Sequence, residues 1–405
     1  RRRRRRRRRH PRAIHTMSSS NSNLPIDIMI DILSRLPVKS LVRFTSVSRN
    51  WYALIKSPSF IAQHLNQSAH GTNKCLLAKI CNYRTQNRGM SLLFNHTLDE
   101  SVNLDFPFLN KKSDFCIVGG SSNGLACINL SPGGFRLILC NPGTRQFRQL
   151  PICKLKYPNY QLPCYWDFHI DRVCLGFGFH PKANDYKIVR IVYYFGWFDN
   201  YIVRAEVYAT STDSWREIND VVLPSFFDEE KDDDGDDIPC DISGSSVVLR
   251  GVIYWGAYIL PENDLIIVSF DMDDEAFREV EMPLGLDEVV WDEISWKLTN
   301  LKDELALIIC SEHQLFDVWV MDKYDRSWTK KFTVGCEENG EIMVVGCGRS
   351  GEILLEYRTY IKHLLYDIDT NNNKIKVLPI PRDLVLSKVC AYIESLVPVK
   401  TQERP

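Results

Sequence analysis

LILCNPGTRQFRQLP, residues 137–151, sets an apolar run, a polar turn around Asn141, Gly143 and Thr144, and then Phe147 in a second run ending in Leu-Pro. Val, Ile, Tyr and Phe bounded by Gly, Asn, Asp and Pro is strand composition, and the short polar spacer is that of a hairpin. The theme returns as AEVYATSTDSWREI (205–218), IVSFDMDDEAFREVEMP (267–283), DVWVMDKYDRSWTKKFTV (317–334) and HLLYDIDTNNNKIKVLPIP (363–381), with LLFNHTLDESVNLDFP (92–107) a weaker first copy. The landmark side chains Val102, Phe147, Trp215, Phe277, Trp328 and Ile375 mark a repeat of about 45–70 residues. Between copies stands a glycine-containing pair of apolar runs: GSSNGLACINL (120–130), SVVLRGVIYWGAY (246–258) and GRSGEILLEY (348–357). About four strands in about 50 residues is the arithmetic of a β-propeller blade. Six copies predict about six blades, with seven left open. One blade cannot bury both of its faces, so only stacking into a ring gives a core. The landmark residue is therefore read as packing between blades. AYIESLVPV (391–399) is expected to pair with KCLLAKICNYR (74–84), closing the ring and removing a strand edge.

Upstream of His70 the apolar period is helical. Ile28, Met29, Ile32, Leu33 and Leu36 fall near i, i+3, i+4, i+7, with Pro25 set for a first turn and Asp27 where the helix dipole favours an anion. Pro37 ends that run and opens another carrying Leu41, Val42, Phe44 and Val47. A third carries Trp51, Leu54 and Ile55, and Ser57 is positioned to cap a further piece beginning Pro58-Ser59-Phe60-Ile61. About 40 residues of short helices cannot bury so many large side chains alone, so the module packs on the rest of the chain or docks on a partner.

The chain has 405 residues, with 50 basic and 51 acidic side chains for a formal charge of -1. Ten arginines stand in the first 16 positions, and without them 40 basic residues face 51 acidic ones, a net of -11. Such a run cannot bury apolar area. It is read as a leader foreign to the native protein, with Met17 opening an ordinary polar terminus. An acidic body is not a nucleic-acid surface. No apolar window is long enough for a membrane span and no secretory signal follows Met17. The 13 cysteines, mostly single within apolar runs (Cys116, Cys127, Cys140, Cys174, Cys310, Cys390), suit buried thiols in a reducing compartment. The expected location is the cytoplasm, with the nucleus also open.

No catalytic or metal constellation emerges. No C-x-x-C pair and no H-E-x-x-H occurs among the nine histidines. His180, before Pro181, is read as a turn residue; Gly176-x-Gly178 and Gly120-x-x-x-Gly124 are likewise read as turns. The acidic run 228–237 lacks the twelfth-position Glu of a calcium loop and is read as a solvated loop between blades. No cofactor and no metal are expected.

LPIDIMIDILSRLPVKSLVRFTSVSRNWYALIKSPSFIAQHL closely resembles the F-box, a trihelical motif that binds a Skp-type adaptor and through it a cullin scaffold in SCF ubiquitin ligases. The resemblance places adaptor contacts on Leu24, Pro25, Ile32, Leu36, Pro37, Leu41, Val47 and Trp51, some of them partly core. Ile26 stands where an acidic residue is frequent and Ser48 where cysteine or a basic residue is usual. The rest resembles the F-box-associated, kelch-like domain of plant F-box proteins, through Cys140-Asn141-Pro142-Gly143-Thr144-Arg145, GFGF (176–179), Asp185-Tyr186-Lys187, Val207-Tyr208 and Asp213-Ser214-Trp215. The closing Tyr392-Ile393-Glu394-Ser395-Leu396-Val397-Pro398, with Gly120-Ser121-Ser122-Asn123-Gly124-Leu125, is similar to S-locus F-box and S-locus F-box-like proteins of the rose family.

The expected organisation is α+β and multidomain: leader 1–16, polar terminus 17–23, a three-helix F-box at 24–68, and an all-β, kelch-like propeller at 69–405. The implied role is a non-catalytic SCF substrate receptor that presents a target for ubiquitination and degradation. The S-locus resemblance implies that this target is a basic S-RNase in pollen self-incompatibility. The alternatives are a receptor for another plant protein, or a propeller enzyme. Exposed aromatics in the long insertions, Tyr157, Tyr160, Tyr165, Trp166, Trp197 and Phe198, are the candidates for target contact.

Overall fold

The computed structural model describes residues 25–399 apart from 72–74, 95–99, 132, 156–168, 196–200, 220, 222, 224–239, 260–263, 285, 287–293, 311–314, 336–341, 349, 358–360 and 368–374. Among the described residues four helices come first: α1 (Ile26–Ser34), α2 (Val38–Phe44), α3 (Arg49–Lys56) and α4 (Pro58–His70). The expectation of three helices is corrected to four. Ser57 starts the last one by accepting the Phe60 N–H on its hydroxyl, with Pro58 in the first turn, and the helix runs on for 13 residues.

Among the described residues, 24 strands follow in six four-stranded antiparallel sheets. The first blade joins β1 (Cys75–Asn82), β2 (Asn87–Phe94) and β3 (Glu100–Asn103) to the last strand of the chain, β24 (Leu384–Tyr392). The second is β4 (Cys116–Ser122), β5 (Leu125–Asn129), β6 (Leu137–Asn141) and β7 (Gln146–Gln149). The third is β8 (His169–His180), β9 (Asp185–Phe195), β10 (Tyr201–Ala209) and β11 (Ser214–Ile218). The fourth holds β12 (Asp241–Leu249), β13 (Val252–Ile259), β14 (Asp264–Asp271) and β15 (Phe277–Val280). The fifth holds β16 (Ser295–Leu301), β17 (Glu304–Cys310), β18 (Leu315–Met321) and β19 (Trp328–Gly335). The sixth holds β20 (Ile342–Cys347), β21 (Glu352–Tyr357), β22 (Lys362–Asp367) and β23 (Ile375–Val377).

The two sequence themes divide each blade. The glycine-containing pairs are inner strands, β4–β5, β12–β13 and β20–β21, and every landmark residue lies on an outermost strand. Contacts among β4, β8, β12, β16, β20 and β24 surround the axis. Six apolar clusters fill the six junctions between blades, for instance Cys174, Val189 and Trp255 between the third and fourth, and Leu76, Leu354 and Val389 between the sixth and first. The core is therefore distributed around the ring.

Ring closure occurs through the C-terminal segment, with a shifted partner. β24 pairs with β1 from Cys75 opposite Tyr392 to Asn82 opposite Leu384, so the closing strand precedes most of the expected 391–399. Gly176 and Gly178 are not turn residues, because both lie in β8. A Cβ on Gly176 would stand 2.6 Å from Ile253 and Trp255, so the glycine admits the next blade. Gly124 does occupy the turn between β4 and β5, at φ +79. His180 ends β8 buried, with Nε2 2.5 Å from Asp273 Oδ1. None of the 11 described cysteines is joined in a disulfide, and Cys116 is exposed rather than buried.

Candidate functional site

The four helices enclose a small core of Leu33, Val38, Leu41, Ile55 and Phe60, with Met29, Ile30, Leu36, Phe44, Trp51, Leu54 and Ile61 packed around it. Ser48 starts α3 by accepting the Trp51 N–H at 3.2 Å. That fixes the indole, which meets the Phe44 ring edge-on at 5.3 Å between centroids. His64 Nε2 lies 3.0 Å from the Leu36 carbonyl, and burial holds its pKa below the usual value. The neutral ring therefore donates to the Leu36 carbonyl in the link between α1 and α2.

The sixth member of this core comes from the opposite end of the chain. Leu396 is buried among the helices, beyond the strand that closes the ring. Its neighbours form a clasp. The Asn141 side-chain amide donates to the carbonyls of Ser395 at 3.0 Å and Val397 at 2.8 Å. The Gly143 N–H donates to the Tyr392 hydroxyl at 2.8 Å. The turn at Gly124 leaves only 2.2 Å between a would-be Cβ and Ser395 Oγ. Glu394 accepts the N–H of Val38, the first residue of α2, and burial raises its carboxyl above the usual range. The helical module is thus seated on the propeller where the ring is sealed.

The outer side of the helices is apolar and uncovered. Ile32 is 49% and Val47 63% exposed, and Ile26, Ile28, Val42 and Tyr52 are exposed with them. Ile28 and Ile32 stand one turn apart on α1, so they are surface neighbours. Exposed apolar side chains concentrated on one small module mark an interaction surface.

Of the eight residues given adaptor contacts by resemblance, Pro25, Ile32, Pro37 and Val47 are exposed, while Leu36 and Trp51 are partly buried. Leu41 is fully buried and belongs to the core; it holds the surface up from behind. Leu24 lies outside the described residues. The exposed Ile26, Ile28, Val42 and Tyr52 were absent from that set, although their apolar character on a helix too small to bury them was the available signal. Leu396 stood within the closing signature, but nothing there signalled that it packs among the helices.

Tyr157, Tyr160, Tyr165, Trp166, Trp197 and Phe198, together with the acidic run 228–237, lie outside the described residues. Among the described residues no group of His, Cys, Asp and Glu is arranged to hold a metal. No described helix is long and apolar enough to cross a membrane.

The comparisons agree with this division. Residues 21–63 match the F-box domain and residues 81–381 match the F-box associated beta propeller domain. Among curated relatives from Arabidopsis thaliana, F-box protein At3g07870 is 28% identical over 388 residues, covering 84% of each chain. F-box protein CPR1 is 29% identical over 333 residues, covering 77% of this chain and 73% of that one. Among solved structures, SapL1 lectin, in complex with alpha methyl fucoside, gives a TM-score of 0.40 at 10% identity, covering 75% of this chain and 96% of the lectin. That likeness bears on nothing this chain binds. Two family matches that together span most of the sequence, on a four-helix module seated on a six-bladed ring, place this chain in the family of plant F-box proteins with an F-box associated β-propeller domain.

Proposed function

We propose that the chain is the substrate-recognition subunit of an SCF-type ubiquitin ligase. The helical module docks a Skp-type adaptor, and through it a cullin scaffold, while the propeller holds a target protein. The observation that carries the reading is the uncovered apolar surface of an F-box whose own core is already closed by Leu396. Leu24, Pro25, Ile32, Leu36, Pro37, Val47 and Trp51 are assigned to the adaptor contact, with Ile26 and Ile28 added. Leu41 acts from within the core. The subunit itself is non-catalytic: it raises the effective concentration of a target lysine beside the charged conjugating enzyme. The cytoplasm or nucleus is the corresponding compartment. The acidic body favours a basic target, and an S-RNase is the narrowest form of that reading, resting on the S-locus resemblance alone.

The test is co-expression of the full chain with a Skp-type adaptor. The unmutated chain is expected to co-purify with it, and Ile32→Asp/Val47→Asp is expected to lose it at unchanged melting temperature, since both side chains already face water. Co-purification of the double variant at the unmutated level would overturn the assignment.

A further inference from the structure

The propeller axis holds a cavity of about 110 Å³ walled by the inner strands. That is room for several water-sized groups, enough for a small polyatomic anion. Two amines line it, Lys297 from β16 and Lys388 from β24. The lining carboxylate is Asp303, exposed in the turn after β16. Among the described residues neither lysine has a carboxylate within ion-pair distance, and Lys297 Nζ is held instead by the Val345 carbonyl at 2.7 Å. Across the same cavity Ser246 is buried, and its hydroxyl lacks a hydrogen-bond partner. Gly119 faces it, with a would-be Cβ 3.1 Å from Ser246 Oγ. A buried hydroxyl left unpaired in a cavity that two amines also line is costly unless something completes it.

We propose that the axial cavity binds a small tetrahedral oxyanion of the sulfate or inorganic phosphate class, with Lys297 and Lys388 supplying charge and the Ser246 hydroxyl donating a hydrogen bond. One dianion neutralises both amines, satisfies the orphan hydroxyl and matches the room available. Because Lys297, Ser246 and Lys388 come from β16, β12 and β24, such an anion ties together the fifth, fourth and first blades. The site is independent of adaptor docking, and its occupant is expected to tighten the ring.

The charged and titratable groups facing the cavity are Lys297, Lys388, Asp303, Cys347 and Cys390. Burial and the charge of Lys388 lower Lys297 to about 8, while burial pushes both thiols up to about 11. A bound dianion favours the protonated lysine, so affinity is highest below pH 8 and falls as pH rises past it.

The test is calorimetric titration of the full chain with sodium sulfate, against sodium chloride at equal ionic strength, at pH 7 and pH 9. Sulfate keeps its charge across that range, so the change reports the protein. Binding to sulfate but not chloride is expected, weaker at pH 9, and weakened at least ~10-fold by Lys388→Ala and severalfold by Ser246→Ala. Tenfold corresponds to about 1.4 kcal/mol. The Lys388 side chain makes no hydrogen bond or ion pair among the described residues, so retention of the melting temperature by Lys388→Ala without sulfate certifies that it is folded. Equal response to sulfate and chloride, or unmutated affinity in a folded Lys388→Ala, would sink the proposal.

Discussion

The side chains that hold neighbouring blades together also catch the carbonyls where a blade ends. Trp215 Nε1 donates to the Pro151 carbonyl at 2.9 Å, and Trp328 Nε1 donates to the Glu281 carbonyl at 2.7 Å, each just beyond the previous blade's outer strand. The recurrent Leu-Pro and Met-Pro endings stand at these crossings. A buried pair does the same work in the third blade. Arg190 and Glu206 are both fully buried, 2.7 Å apart, and Glu206 also accepts the N–H groups of Lys154 and Leu155 while Arg190 donates to the carbonyls of Gly133 and Leu155. The segment leaving the second blade is thereby fixed to the third. Removing one member strands the other charge, so Glu206→Ala is expected to cost about 3–5 kcal/mol. Replacing both by apolar residues (Arg190→Met/Glu206→Leu) is expected to cost less than the single change, although two backbone N–H groups lose their acceptor. Urea unfolding of the three proteins gives the comparison, and a double variant less stable than Glu206→Ala would contradict it.

At the scale of elements, the C-terminal segment does two jobs in sequence: β24 seals the first blade, and residues 393–399 clasp the second blade and the helices. Glu394 is the clasp's titrating group. Burial raises its carboxyl, so the folded state binds its proton more tightly than the unfolded state. The stability this gives is complete below the unfolded pKa and is lost as pH rises through the folded one. Glu394→Gln keeps an acceptor for the Val38 N–H without a charge to bury, so it is expected to be more stable than the unmutated chain at pH 8. That gap should close toward pH 4, as followed by melting temperature. A gap that widens on acidification would contradict the raised pKa. The strand pairs and blade count were legible in the sequence because each blade repeats one theme, an apolar run, a polar turn and a landmark residue in a second run. The clasp was not. Asn141, Gly143, Tyr392 and Ser395 stood out as signatures, yet they lie about 250 residues apart in the chain, and no local period announces a pairing of that range. The glycines of GFGF misled for a related reason: the same residue that allows a turn also allows a strand to be approached by the next blade.

At the scale of the molecule, Leu396 makes the helical module and the ring share one core. A short helical bundle of this size has little apolar area of its own, and among the described residues the one propeller-side member of its apolar core is this leucine, delivered by the chain segment that has just closed the ring. Opening the ring would withdraw Leu396 from the helices, and melting the helices would leave Leu396 and Glu394 exposed beside the clasp. The two modules are therefore expected to unfold together, in one calorimetric transition, despite their different architectures. Leu396→Ala removes the shared side chain at a cost of about 2–5 kcal/mol. Because β24 and its register with β1 are untouched, the ring should keep most of its stability while the helices lose their support, so the single transition is expected to split, with helical circular dichroism lost first. The adaptor surface would then melt at a temperature where the propeller persists, and adaptor capture would fall with it. A Leu396→Ala chain that still unfolds in one transition, merely shifted downward, would mean that the coupling runs through Glu394 and Val38 instead.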